Sequence, residues 1–435
     1  MTNKPRAVDL IKDLPRPSYL KRSLSNGVTL IAEKHPQVCS VSVGVWVRAG
    51  SCSEEPKRSG VAHFLEHMVF KGTQKRTALE IATIIESLGG ELNAFTDREF
   101  TCYHATVLSK HIDVALDVLS DLVLRPNFAK KEIEREKKVL LQEMAMVEET
   151  PDEWVGDLLF QTVWKGEPLG QPIIGTRKTV RDLSQADLQH FFTEHYCADN
   201  MIVAVAGNID FEALLASCEK CFGSVPARKT LLLSAMPSQY KNHKRFVYSD
   251  CEQVHFLAGY QGVGFKDPYR FDALILSFFL GGGMSSCLFQ EVREKAALAY
   301  SVECEMVPFT GTGLLTIYVA TASKWLIQCQ DIIARELARL KSSPISQQDL
   351  DVVKGQLSGM ILLSSDQMES RQESLGRNEI IFGRYVPVEE VIDEIGRVDS
   401  ERVWVTAKNI FIKGKESAVV LGKHKVNCRS LSMVS

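Results

Sequence analysis

The succession of predicted elements occurs twice along the 435 residues, and that recurrence restricts the fold more than any single motif does. After the turn Ser25–Asn26–Gly27 a short β-rich run covers 28–33. Val41, Val43, Val45 and Val47 then alternate with Ser42, Gly44, Trp46 and Arg48, the period of two of a half-buried strand. A helix is expected over 59–70. Thr77–Ala78–Leu79–Glu80 reads as a capping box opening a second helix, which Gly89–Gly90 closes. Strands follow over 91–96 and 100–107, then a helix over 111–124 and a long helix over 129–147 stopped near Pro151. A strand over 201–206 and an amphipathic helix over 211–221 end the first half. The second half places strands over 245–248 and 253–260, helices over 268–280 and 285–295, and strands over 300–306 and 314–320. Helices recur over 324–340 and from 346 through 382, and a last strand covers 418–421.

Both halves read β-β-α-α-β-β-α-α…β, a repeat of order and not of sequence. The expected class is α+β, with two similar halves that are each a mostly antiparallel sheet packed by helices, and not a doubly wound parallel sheet. The stretch from Ser224 to His243 is polar and holds Pro226 and Pro237. The division is therefore residues 1–225, a linker over 226–243, and residues 244–435.

Hydrophobic residues at 45% and charged residues at 24% are ordinary for a globular chain. Lys plus Arg number 51 against 54 Asp plus Glu, so no positive field recruits nucleic acid. The eleven cysteines are scattered without framework spacing, which favours reduced thiols. The pair Cys218 and Cys221 sits in a helical pattern with no second CxxC and reads as structural. The apolar run over 274–280, broken by Ser277, falls far short of the ~20 residues of a membrane span. The first residues carry Asp9, Asp13 and prolines at 5, 15 and 17 without an apolar core, against a secretory or transit signal. The expectation is a soluble, cytoplasmic protein, with a matrix protein trimmed of its presequence as the alternative.

The chemistry concentrates in His63–Phe64–Leu65–Glu66–His67, inside the helix after the second strand. This is H-x-x-E-H, the inverted zincin spacing. Side chains at i and i+4 lie one above the other, so both imidazoles reach one ion, and Glu66 at i+3 stands beside it. With ten histidines in the chain, a chance match is expected on the order of one per cent of the time. A catalytic zinc needs a third protein ligand. Glu132, Glu134, Glu136 and Glu143 on the long helix are the candidates. Glu136 and Glu143, seven apart, share a face near Val139, Leu140 and Met144, and a solvated acidic face is the bland alternative.

The chain resembles the pitrilysin/insulinase family of zinc peptidases, in its short, processing-peptidase-like branch. The resemblance rests on 60–73, around His63 and His67, on Gly89–Gly90–Glu91–Leu92–Asn93–Ala94–Phe95–Thr96, and on the Glu134 to Glu143 segment. In the second half it rests on 280–286 and on 288–301. It implies one zinc ion per chain, held by His63, His67 and Glu143. It implies Glu66 as the base that takes the proton of the zinc-bound water, and Glu136 as a carboxylate orienting a ligand. Arg293 and Tyr300 match the family's pair that holds substrate and oxyanion. Leu92, Asn93, Ala94, Phe95 and Thr96 match its edge strand, to which an extended peptide pairs. The implied activity is an endopeptidase for peptides or unfolded segments in a chamber formed by two chains. A homodimer is the simplest arrangement because this chain carries both half-sites, and a heterodimer with a related chain is the alternative. The sequence departs from the family at Cys287, where a basic residue is common, and at Ala296–Ala297, where Arg–Gly is common.

Two rival readings stand beside this one: a catalytically silent scaffold or partner subunit, and a metal-dependent peptide-binding chamber with little turnover. Silent members lose ligands or the base, and here all are present. Other features are discounted. The glycine-rich run 281–283 has no Gly-Lys-Ser/Thr after it, and Ser285 reads as a cap. His104 and His255 fall in strand patterns. His190 and His195 are five apart, a poor ligand spacing, and the tail Lys423–His424–Lys425 is too short to bind nucleic acid.

Overall fold

The computed structural model describes residues 17–228 and 239–424. Most of the expected linker, the first sixteen residues, Lys425 and Cys428 lie outside the described residues. The first half runs β1 (Ser18–Ser23), β2 (Thr29–Lys34), β3 (Ser40–Val47), α1 (Val61–Val69), α2 (Ala78–Glu86), β4 (Glu91–Thr96), β5 (Thr101–Leu108), α3 (Ile112–Leu124), α4 (Lys130–Glu149), α5 (Pro151–Val163), α6 (Arg177–Asp182), α7 (Gln185–His195), β6 (Met201–Gly207) and α8 (Phe211–Phe222). The second half runs β7 (Lys244–Tyr248), β8 (Val254–Gly262), α9 (Arg270–Gly281), a π-helical turn (Phe289–Lys295), β9 (Ala299–Pro308), β10 (Gly313–Thr321), α10 (Leu326–Ser342), α11 (Gln347–Ser365), α12 (Met368–Phe382), α13 (Val388–Arg397), α14 (Ser400–Ile410) and β11 (Ser417–Gly422).

The repeat of order is a repeat of topology. The first sheet has the order β1-β2-β6-β3-β5-β4 and the second β7-β11-β8-β10-β9. Setting aside β1, each strand of one sheet has its counterpart at the same place in the other. Each sheet holds one parallel pair, β2 with β6 and β7 with β11, and its other pairs are antiparallel. β4 and β9 are the matching edge strands.

β3 is not half-buried as its alternation suggests: residues 41–47 are all buried. The valines at 41, 43, 45 and 47 join the core beneath α1 and α3. The opposite face, with Trp46, is closed by Met368 and Leu375 of α12, a helix from the other half. The exchange is mutual. Val155, Leu158, Leu159 and Val163 of α5 cover Leu257, Leu314, Val419 and Leu421 on the second sheet. Each sheet is thus packed on one face by its own helices and on the other by a helix borrowed across the boundary. A sheet buried on both faces cannot show a polar stripe, which explains the near-continuous apolar reading of β6.

The other differences have local causes. Pro151 does not only stop a helix; at the first position of α5 its missing N–H costs nothing, so it also starts one. α6 and α7 open with capping boxes at Thr176 and Ser184 whose partners at the third helical position are Thr179 and Asp187, not the usual Glu or Gln. The expected helix over 285–295 is a turn followed by the π-helical segment. The stretch read as helical through 346–382 is broken at Asp366–Gln367 into α11 and α12. β1, α5, α6, α7, α13 and α14 have no counterpart among the elements expected from the sequence.

α12 approaches the first sheet so closely that a Cβ on Gly376 would stand 2.2 Å from the indole of the fully buried Trp46. Gly376→Ala is expected to destabilise the protein by about 1–3 kcal/mol from overpacking. The usual helical preference for Ala would instead give a gain of ~1 kcal/mol. Denaturant unfolding distinguishes the two signs.

Candidate metal centre

α1 begins at Gly60, whose φ of 93° admits no ordinary side chain without strain and which has no cap of its own. The cap comes from Glu54. Its carboxylate accepts the backbone N–H of Gly60 and of Ala62, each at 2.8 Å. Burial pushes the Glu54 carboxyl up to about 8, against the two backbone bonds that pull it down. Phe64, Leu65, Met68 and Val69 turn into the core, which leaves His63, Glu66 and His67 on the remaining face. On α4 the buried residues are Ile133, Glu136, Leu140 and Met144. Val139 is 42% exposed and does not join them.

This packing sets Glu143 opposite the two histidines. The candidate ligand atoms of His63, His67 and Glu143 lie within 4.8 Å of one another. His63 Nε2 stands 3.6 Å from Glu143 Oε1, and His67 Nε2 stands 3.6 Å from Glu143 Oε2. Zinc–ligand bonds of ~2.0–2.2 Å bring the ligands of one tetrahedral ion to such separations. Burial beside His67 drives the His63 pKa down to about 3, so its imidazole is neutral as a ligand must be. Its buried Nδ1 has no hydrogen-bond partner among the described residues. Two imidazoles and a carboxylate are a zinc donor set, and these residues fit that ion.

The other glutamates separate by their partners. Glu132 pairs with Arg135 and Glu134 with Lys137. Glu136 accepts from His67 Nδ1 at 2.8 Å and pairs with Lys71 Nζ at 2.9 Å. Burial raises the Glu136 pKa, but the bonds from His67 and Lys71 outweigh it and the net shift is downward. The bond fixes the tautomer of His67 and leaves Nε2 for the ion. Burial works against the His67 imidazolium, yet the Glu136 bond and the charges of Glu143 and Glu66 win and raise its pKa. Burial raises Glu143, opposed by His67. Burial also raises Glu66, opposed by a 2.6 Å bond from Thr96 Oγ1 to Glu66 Oε2.

Of the strand residues matched to the family, Leu92 and Ala94 pack toward the core under α1. Phe95 packs on the opposite face against Trp46, and Thr96 reaches Glu66. β4 keeps its outer edge unpaired among the described residues. Arg293 and Tyr300 stand together on the second half. The Arg293 guanidinium lies 4.5 Å from the Tyr300 ring centroid and donates to the Tyr300 carbonyl at 3.0 Å, and Tyr300 is 69% exposed. Among the described residues no hydrogen bond, ion pair or ring contact joins this pair to the histidine cluster. Sequence reasoning missed Glu54 and Lys71. Lys71 lies at i+4 from His67, which is a usable signal; Glu54 lies in irregular chain, which gives none. The discounted histidines have other partners: His104 faces Glu369, His255 bonds Tyr318, and His190 faces Glu194.

Residues 29–177 match the family described as insulinase, peptidase family M16, and residues 182–357 match the peptidase M16 inactive domain. The chain belongs to the M16 peptidase family. An uncharacterized zinc protease of Bacillus subtilis, YmxG, is 37% identical over 395 residues, covering 91% of this chain and 96% of that protein. One of Mycobacterium leprae is 35% identical over 413 residues, covering 93% and 92%. A protease from Helicobacter pylori superposes with a TM-score of 0.86 at 20% identity, over 94% of this chain and all of that one. A peptidase M16 inactive domain from Pseudomonas fluorescens superposes with a TM-score of 0.85 at 20% identity, over 94% and 99%. Members of the family use zinc.

Ala297 holds a φ of 52°, the one positive value at a non-glycine among the described residues. Ala297→Gly is expected to raise stability by about 1 kcal/mol by relieving that conformation, readable as a higher Tm. Glu136→Gln is expected to weaken zinc binding ~10–100-fold while leaving the fold intact, measured by chelator competition.

Proposed function

We propose that the chain is a zinc metalloendopeptidase that cleaves peptides or unfolded segments. The observation that carries this reading is the convergence of His63, His67 and Glu143 within 4.8 Å beside Glu66, with the open edge of β4 ending at that carboxylate. His63, His67 and Glu143 would hold one zinc ion per chain, which would supply a Lewis acid to polarise the scissile carbonyl and acidify a water.

The chain's own groups do the rest. An extended peptide adds to the edge of β4 by main-chain hydrogen bonds, which select for unfolded substrate. Glu66 accepts the proton of the attacking water on its carboxylate and passes it to the leaving nitrogen; burial, opposed by the Thr96 bond, raises its pKa above the usual carboxylate value. Glu136 holds the His67 ring.

The dimeric chamber belongs to the same proposal. Arg293 lies in the π-helical turn just before β9 and Tyr300 is the second residue of β9, the counterpart of β4 in the second sheet; among the described residues no hydrogen bond or ion pair joins them to His63, His67 or Glu143. A second copy facing the first would bring its Arg/Tyr pair to the substrate held at this chain's β4.

Glu66→Gln is expected to retain stoichiometric zinc while cleavage of a peptide library falls ~10²–10⁴-fold. His67→Ala and Glu143→Gln are expected to lose the metal and the activity together. Elemental analysis beside the cleavage assay reads both. Wild-type cleavage by the Glu66→Gln protein would refute the mechanism, and would leave a metal-holding scaffold cleaving by other means to be sought.

A further inference from the structure

The base and the strand offered to substrate are tied by one bond. Thr96 is the last residue of β4, and its Oγ1 stands 2.6 Å from Glu66 Oε2. An ionised carboxylate only accepts, so the hydroxyl donates. The neighbouring hydroxyl of Thr101 lies 3.5 Å from Thr96 Oγ1 and is directed to the Ala49 carbonyl at 2.9 Å, so it does not compete for Glu66. Among the described residues no donor engages Glu66 Oε1. One oxygen of the carboxylate is therefore occupied and the other is free.

The geometry points to Thr96 as the positioning residue of the base: its hydroxyl fixes the Glu66 rotamer through Oε2 and reserves Oε1 for the proton. This rests on the peptidase reading above and goes beyond it. Thr96 does not touch the metal ligands by any hydrogen bond among the described residues, and acts through Glu66. A free glutamate side chain on a helix samples several rotamers, and a misplacement of about 1 Å at a catalytic group is worth ~10²-fold in rate. Because Thr96 belongs to the edge strand, a peptide that pairs with β4 orders the backbone from which this hydroxyl projects. Substrate binding and base alignment are then one event. An Ala at this place would keep the strand and the zinc but leave the base loose, a defect that sequence spacing alone does not reveal.

The test uses the full-length, zinc-loaded protein and a fluorescence-quenched peptide chosen from those the wild type cuts. Thr96→Val is nearly isosteric and suits a strand. It is expected to lower kcat ~10–100-fold with KM and zinc content unchanged. Thr96→Ser restores the hydroxyl and is expected to recover most of the loss. Thr101→Val, which strips the hydroxyl bond to Ala49, is expected to lower Tm while leaving kcat near wild type, so lost stability and lost alignment are separated. A Thr96→Val protein with wild-type kcat, or a Thr96→Ser protein no better than Thr96→Val, overturns the assignment. Loss of zinc in Thr96→Val would make the residue part of the metal site and overturns it too. A wild type that cuts no peptide at all overturns the peptidase reading itself and the role of Thr96 with it.

Discussion

Three carboxylates converge on two imidazoles in one partly buried corner, and the rest of the site follows from how that charge is balanced. Glu136 finds Lys71 and His67 and its pKa falls. Glu66 and Glu143 lack an equivalent cation and their pKa values rise. Burial is the main cause of both rises and the neighbouring carboxylate a smaller one, and a divalent cation between such groups would favour their ionised forms. The same corner holds a neutral His63 and a His67 whose second nitrogen is already bonded.

The fold makes that corner rigid. α1 is pinned at its start by Glu54 and along its length by the core under β3. α4 carries Glu143 and runs into α5 after a single residue, and α5 is packed on the second sheet. In return α12 is packed on the first sheet, where the Arg371–Glu33 pair and the 2.8 Å pair of Lys21 with Glu379 hold it. The helix that carries Glu143 is thereby joined to the seam between the halves. Such support is what a site needs when ligand positions must hold to within about 0.5 Å.

Much of this was legible in the sequence, and the limits have physical causes. The period-two valines and the order of elements gave two similar sheets because alternation and capping are local signals. The histidine spacing placed two candidate ligands, His63 and His67, on one helical face for the same reason. The third was different. Spacing left Glu136 and Glu143 on one face, and only the packing of α4 on α1 distinguishes a carboxylate that faces both Nε2 atoms from one that faces Nδ1. The exchanged helices could not be read, since nothing in α5 or α12 says which sheet their apolar faces meet. Glu54, Lys71 and the Thr96 bond were hidden likewise: each is a contact between segments that sequence patterns treat separately.

X-ray absorption at the zinc edge of the purified wild-type protein bears most directly on the central claim. The account predicts one zinc per chain, with two imidazole nitrogens and carboxylate oxygen at ~2.0–2.2 Å and no sulfur. A protein that takes up no zinc on reconstitution, or one whose zinc is bound by cysteine sulfur at ~2.3 Å, would contradict it.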